Sequence, residues 1–432
     1  MTESNFSNPT QYETTEIKID GQDVRGLFVS VSIFENIYSP LITGVITIQD
    51  TDGAGFIEEN GLEFIEPISL KFKNANGDML EFEGVLNKLK NETVMGSKKV
   101  YALEFTSETM RKNESTFVTN AFKETNPEEI VKKMVEKMGG ELKTNVRAKQ
   151  MNYVASRRRP RDIIEYVCTH ALTQETQATQ NEDSKEEEAK GTTGFLCWQT
   201  LDGFKFESIK DILDGKAGTE HKDFKTQLAN RSLSMEDSMK GIVQYEFKQI
   251  GDFQTKLRSG AFSSKNISFD MDTGLYKEYN YRNIGNMTEK QEQALNDIFE
   301  GKDGVQSFTR VFMKPISNQK FTNGCPIAQP LTGDQSRGYL NQNSGGQNTF
   351  NDQIGMFTFY PQFKFRAGDI LDCKISQIKD QENAQGGYDK KHSGKYVMKS
   401  VAHTFFADGK AYTKVVTIRS TTQQDEVSAA KS

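Results

Sequence analysis

Ile68-Ser69-Leu70-Lys71-Phe72-Lys73, then Asn76-Gly77-Asp78, then Leu80-Glu81-Phe82-Glu83-Gly84-Val85, reads as a strand, a turn and a second strand. In an extended chain successive side chains point to opposite faces, so the period of two gathers Ile68, Leu70, Phe72, Leu80 and Phe82 on one apolar side. Asn-Gly supplies the backbone freedom that a tight turn needs. Working outward, the same alternation recurs in Ile17-Lys18-Ile19-Asp20, Val29-Ser30-Val31-Ser32-Ile33, Val45-Ile46-Thr47-Ile48 and Val100 to Phe105, with Asp20-Gly21 and Gly96-Ser97 as further turns. Six strands at this spacing predict an antiparallel sandwich or barrel over residues 16–110, preceded by an N-terminal arm, 1–15.

Downstream the period changes. Thr125-Asn126-Pro127-Glu128-Glu129 combines a capping residue, a proline fit for the first turn and acids at the positive helix end. Ile130, Val131, Met134, Val135 and Met138 then form one stripe, and Gly139-Gly140 stops the helix. A second helix is expected from about Pro160, with Ile163, Ile164, Val167, Cys168, Ala171 and Leu172 inward. Phe195 to Thr200, Leu201-Asp202-Gly203 and Phe204 to Ile209 predict a hairpin built on Asp-Gly. Residues 111–238 are therefore expected to be a mixed α/β connector. Within it, 175–190 (ETQATQNEDSKEEEAK) carries six acidic and two basic residues and is expected to be a solvated acidic loop. Residues 143–161 oppose it with seven basic residues (Lys143, Arg147, Lys149, Arg157, Arg158, Arg159, Arg161) and no acid. That run fits a nucleic-acid patch or a surface for the acidic loop or a neighbouring subunit. Tyr153 is its single aromatic residue, which favours the second reading.

β patterning returns in Ile242 to Phe247, Ile370 to Ile375, Tyr396 to Phe405 and Tyr412 to Ile418. This predicts a second barrel from 239–285 and 352–422. An insertion at 286–351 holds a helix over Thr288–Phe299, and the Gly/Asn/Gln-rich run 318–353 reads as a long loop. A tail, 423–432, closes the chain.

Composition bounds the function. At about 100–200 residues per domain, 432 residues imply two to four domains. Twenty-nine Phe and 14 Tyr are too many for a chain that stays unfolded, and a net charge of −6 argues against a general nucleic-acid or membrane-surface binder. The polar N-terminal MTESNFSNPTQYETTE predicts no secretory leader, and apolar runs of three or four residues predict no membrane span, which needs about 18. Assembly in a cytosol follows as an expectation. Cys168, Cys197, Cys325 and Cys373 form no CxxC and are expected to be free, mostly buried thiols. His170, His221, His392 and His403 lack zinc-site spacing, and His403 reads as structural. Asp50-Thr51-Asp52-Gly53 and Asp270-Met271-Asp272-Thr273-Gly274 begin like calcium loops. Their twelfth positions are Gly61 and Tyr281, so both read as turns. Phosphate-loop, nucleophile-elbow and dinucleotide fingerprints are absent from the sequence. No catalytic, cofactor-binding or metal-binding residue is assigned.

Several strings resemble one family. Ser32-Ile33-Phe34-Glu35-Asn36-Ile37-Tyr38-Ser39-Pro40, then Gly44-Val45-Ile46-Thr47-Ile48-Gln49-Asp50, stand in the first β region. Arg159-Pro160-Arg161-Asp162-Ile163-Ile164 and the hairpin ending Asp202-Gly203-Phe204-Lys205-Phe206-Glu207-Ser208 stand in the connector. Ala367-Gly368-Asp369-Ile370, Ser393-Gly394-Lys395-Tyr396-Val397 and Val401-Ala402-His403 stand in the second β region. In order and spacing these resemble the baseplate (tail) hub proteins of contractile-tail, T-even-like bacteriophages over roughly 16–420. The resemblance implies two tail-tube-like antiparallel β-barrels joined by the α/β connector, with an insertion in the second barrel. It implies a structural virion protein without catalysis. Its homotrimer would adapt a sixfold tail tube to a threefold central spike and meet tube or tube-initiator and baseplate wedge proteins. DNA would be met only by passage during ejection, with no membrane insertion. Ser39-Pro40 and residues 367–370 are expected to shape the barrels. Two rival readings have distinct signatures: a tail-associated peptidoglycan hydrolase or hub–hydrolase fusion would place a cleft within 111–235, and a carbohydrate-binding module would need exposed aromatic platforms, to which Trp198 is ill suited.

Overall fold

A computed structural model describes residues 6, 8–50, 55–96, 98–174, 194–226, 234–250, 253–260, 263–270, 276–282, 293, 297, 310–316, 353–376, 388, 389 and 391–419. The acidic loop 175–190, the helix expected at Thr288–Phe299, the Gly/Asn/Gln-rich run up to residue 352, and the C-terminal tail lie outside the described residues, apart from isolated positions.

The first module follows the alternation. β1 (Tyr12–Ile19), β2 (Gln22–Asp23), β3 (Phe28–Asn36), β4 (Thr43–Asp50), a short helix α1 (Phe56–Asn60), β5 (Pro67–Asn74), β6 (Met79–Met95) and β7 (Lys98–Ser107) follow in chain order. They pair antiparallel in the order β3-β4-β7-β6-β5-β1-β2. Inward residues of six strands, among them Ile17, Val31, Ile46, Leu70, Leu80 and Leu103, share one apolar core, so the sheet is rolled around its interior. β1 begins inside the expected N-terminal arm because Tyr12 is buried, its ring edge-on to Phe72 and Phe405.

The connector comprises α2 (Glu108–Ser115), β8 (Val118–Thr125), α3 (Pro127–Lys137), β9 (Leu142–Lys143), β10 (Met151–Arg158), α4 (Pro160–His170), β11 (Phe195–Thr200), β12 (Gly203–Ser208) and α5 (Ile209–Leu213). α3 starts at Pro127 and buries the predicted stripe, and Gly139 leaves it at a φ of 78°. α4 buries Ile163, Ile164, Val167 and Cys168 in the same core. The antiparallel ribbon of β8 and β10 carries part of the basic run; β8 buries only Val118 and Phe122, four residues apart, so it shows no period of two, whereas β10 buries Met151, Tyr153 and Ala155 in alternation. The hairpin pairs Thr200 with Gly203, so its loop is Leu201-Asp202 and the Gly203 of the expected Leu201-Asp202-Gly203 turn already stands in the ladder. Tertiary contacts to both loop residues, given below, fix this register.

The last part contains β13 (Glu220–Thr226), α6 (Met235–Met239), β14 (Gly241–Ile250), α7 (Phe253–Ser259), β15 (Ser263–Asp270), β16 (Tyr276–Arg282), β17 (Arg310–Ile316), β18 (Gln353–Phe359), β19 (Ile370–Lys374), β20 (Gly394–Phe406) and β21 (Ala411–Arg419). Six of these strands close a ring, β19-β13-β14-β18-β21-β20 and back to β19. The ring departs from the expectation in three ways. It recruits β13, from residues expected in the connector. It runs β13 parallel to both neighbours, β14 and β19. It also leaves out β15 and β16, which form a separate sheet with β17 across the expected insertion boundary. The reason is legible in β13 itself: Glu-His-Lys-Asp-Phe-Lys-Thr buries only Phe224 and shows no period of two.

The two β modules share a strand. β20 pairs with β19 through Gly394–Val397, shifts register between Met398 and Ser400, then pairs with β3 from Ser400 to Phe406. Such a shift is the local kink by which a strand leaves one sheet surface for another.

Candidate functional site at the junction of the modules

Three modules meet around one buried carboxylate. β3 alternates inward through Val31 and Ile33, and the next inward position is Glu35, 1% exposed. Its Oε1 accepts the Leu201 N–H at 2.9 Å from the connector hairpin, and its Oε2 accepts the Ala367 N–H at 2.9 Å from the second barrel. Burial pushes its pKa up to about 7, opposed by the charge of Arg366 and by the two backbone donors. Buried polar groups are costly unless hydrogen-bonded, so these two bonds tie both outer modules to the first.

The surrounding groups extend the joint. Arg366 forks onto Asp202, Nε to Oδ2 at 2.9 Å and Nη2 to Oδ1 at 3.2 Å, while its Nη1 donates to the carbonyls of Phe363 and Phe365. Asp369, also buried, accepts from Thr219 N at 3.0 Å and Arg366 N at 3.1 Å, and its Oδ2 lies 2.9 Å from His221 Nε2 and its Oδ1 3.5 Å from Lys205 Nζ. Trp198 donates Nε1–H to the Ala367 carbonyl at 2.9 Å. Between these residues Gly368 takes a φ of 91°, and a Cβ there would stand 2.5 Å from Trp198 Cζ2. Only glycine meets both conditions.

The expected barrel-shaping residues divide. Residues 367–370 lie at the joint itself. Ser39-Pro40 lies in the turn after β3, where Ser39 Oγ donates to the Leu41 carbonyl. No sequence motif links Glu35, Arg366 and Asp202 as a joint, although an acid at an inward position of an apolar strand is a visible signal. His403 is buried, its Nδ1 3.1 Å from Thr413 Oγ1, and burial first, with the charge of Arg366, lowers its pKa to about 3. Cys168, Cys197 and Cys373 are buried thiols with pKa values raised by burial, and Cys325 lies outside the described residues. In the region where a hydrolase reading would need its cleft, burial and Asp211 raise Glu207 to about 7 within β12. Among the described residues no group of three or more His, Cys, Asp or Glu side chains is gathered as for a metal ion. No described helix is long and apolar enough to cross a membrane. The arrangement joins modules; its bonds are spent on backbone amides and neighbouring side chains.

No family model matches the chain, and no curated protein matches it. Solved structures do. The 43 kDa tail protein of prophage MuSo2 from Shewanella oneidensis is 8% identical, with a TM-score of 0.54 over 95% of this chain and 98% of that one. The tail protein from Neisseria meningitidis MC58 is 9% identical, with a TM-score of 0.51 over 96% of this chain and 98% of that one. At this identity the likeness is one of fold, and it runs nearly end to end: the chain has the β-barrel fold of these phage tail proteins.

Proposed function

We propose that the chain is a structural hub of a phage tail baseplate, acting as a homotrimer whose six barrels adapt a sixfold tail tube to a threefold central spike. The observation that carries this reading is the pair of β modules sharing β20, a closed six-strand ring and a rolled antiparallel sheet held as one body in a single chain. Three such bodies around an axis present six similar units while keeping threefold symmetry, and cyclic assembly joins unlike surfaces head to tail. Tube or tube-initiator proteins would meet one end, the spike the other, and wedge proteins the connector side. The location would be the virion tail, after assembly in the host cytoplasm, and the role geometric rather than catalytic.

The continuous sheet would also serve as a wall for DNA passage. On its outward face β3 presents Ser30, Ser32 and Phe34, and β20 presents Ala402, Thr404 and Phe406, opposite one another and without a charge. Affinity for DNA grows with the phosphates that basic groups neutralise, so this seam, with Lys414 of β21 opposite Ala402 as the neighbouring cation, would let the polymer pass while holding it little. Native mass spectrometry of the purified chain, alone and with its spike, tests the reading. A species of three times the 48.8 kDa chain mass is expected, with a central hole in axial micrographs. A monomer under every condition overturns it.

A further inference from the structure

A second surface lies on the connector, away from the shared sheet. Phe117, between α2 and β8, is 52% exposed. The Arg157 guanidinium carbon stands over its ring at 5.2 Å and that of Arg159 at 5.8 Å. Arg158 pairs in register with Val118, the next residue to Phe117, and Arg161 follows on the first turn of α4. The acids nearby are few. Arg159 Nη1 reaches Glu114 at 3.0 Å, Arg111 is taken by Glu108 at 2.6 Å, and Asp162 lies beside Arg161 in the chain. Among the described residues no ion pair engages Arg157, Arg158 or Arg161. The backbone holds the cluster together: Arg157 has a φ of 47°, unusual for a bulky residue, where β10 shifts register, and its N–H donates to Thr119 Oγ1 at 3.3 Å.

We propose that Phe117 with Arg157, Arg158 and Arg161 is a docking surface for an acidic protein segment carrying carboxylates beside an apolar side chain. Arg157 and Arg159 over one ring, with Arg158 and Arg161 adjacent in the chain, repel beyond what Glu114 offsets, and carboxylates from a partner would relieve that repulsion. Guanidinium forks match carboxylates two bonds at a time, and exposed aromatic and arginine side chains together are what protein interfaces use as anchors. A single-stranded nucleic acid is the lesser fit. It calls for successive aromatic platforms along a basic groove, whereas here one ring stands with a guanidinium already over its π-face. The surface is independent of the ring-forming reading, since it needs one chain only.

The test is fluorescence anisotropy of the full chain with two labelled probes, a Glu-Glu-Glu-Leu-Glu-Glu-Glu peptide and a twelve-nucleotide oligothymidylate. The peptide should bind at low salt and weaken steeply as salt rises. F117S and R157Q should each lower its affinity about tenfold, while K133Q on α3, an equal loss of charge elsewhere on the connector, should leave it within about twofold. R157K should fall between, because it keeps the charge and loses the fork. Unchanged thermal melting of F117S and R157Q separates lost docking from lost folding, and should either variant unfold, R157K carries the comparison. Peptide binding that neither variant alters, no peptide binding at all, or oligothymidylate binding tighter than the peptide and lost in the same variants would each overturn the assignment.

Discussion

At the scale of single residues, Glu35 sets the terms. Its carboxyl titrates near 4.5 when unperturbed and at about 7 in the folded protein. Between those values the folded chain holds a proton that the unfolded chain has lost, so this residue's contribution to stability falls as pH rises through that window. The shift corresponds to roughly 3 kcal/mol. His403 has the opposite sign, since its folded value of about 3 lies below the usual 6.5 and stability is lost as pH falls from 6.5. The two oppose each other over part of the range, and Glu207 adds a slope of the same sign as Glu35. The informative quantity is therefore the difference between wild type and E35Q in urea unfolding. Wild type should lose stability relative to the variant by up to about 3 kcal/mol from pH 4.5 to 7, and a flat difference would mean that Glu35 is not buried against both amides. Gly368→Ala is a sharper probe of the same joint. It forces a side chain into a left-handed backbone and against Trp198, and should cost about 2 kcal/mol or more, read as a lower urea midpoint with tryptophan fluorescence altered.

At the scale of elements, β20 joins what the sequence pattern separates. Its C-terminal end inserts Phe405 into the first core, stacked on Phe72 with centroids 3.7 Å apart and flanked by Tyr12 and Phe363. Phe405→Ala should destabilise by about 3–5 kcal/mol and expose the first module, with faster amide exchange in β1 and β5, although both strands lie more than 300 positions away in sequence. Slowed or unchanged exchange there would detach β20 from the first core. Tyr396 to Phe405 is legible as a strand because a period of two runs through Val401, His403 and Phe405, yet nothing in that period says which sheet it enters. The same limit explains the rest. α3, α4 and the six alternating strands of the first module are readable because each segment states its own buried face. β13 has one buried apolar side chain, and its parallel pairing is decided by β14 and β19. The hairpin loop is one residue shorter than the expected Leu201-Asp202-Gly203 turn, with Leu201 fixed by Glu35 and Asp202 by Arg366. The joint was legible only in part: Ala367-Gly368-Asp369-Ile370 stood out as a string, whereas Glu35 finds its partners across 166 and 332 positions of chain.

At the scale of the whole molecule, the uncharged β3–β20 seam on the outward face of the shared sheet separates two outcomes that other features leave together. Ser32 and Thr404 stand opposite each other on β3 and β20, with side-chain oxygens 3.2 Å apart, both on the outward side. If that face lines the passage of a trimeric ring, replacing both by lysine leaves the subunit contacts intact and places several new cations around one hole. Each phosphate they neutralise steepens the salt dependence of DNA binding by about one unit of slope. S32K/T404K should therefore form the same trimer as wild type and acquire DNA binding at low salt at least tenfold tighter than wild type, lost by about 0.3 M salt. Melting should shift little, since both positions are only partly buried and the side chains can reach water. Should the double variant instead remain a well-folded monomer where wild type assembles, the sheet face is covered by a neighbouring subunit and the wall lies elsewhere. Assembly with no gain in DNA binding would place the face on the outside of the ring, and only the first outcome lets the strand that joins the two barrels also form the passage between them.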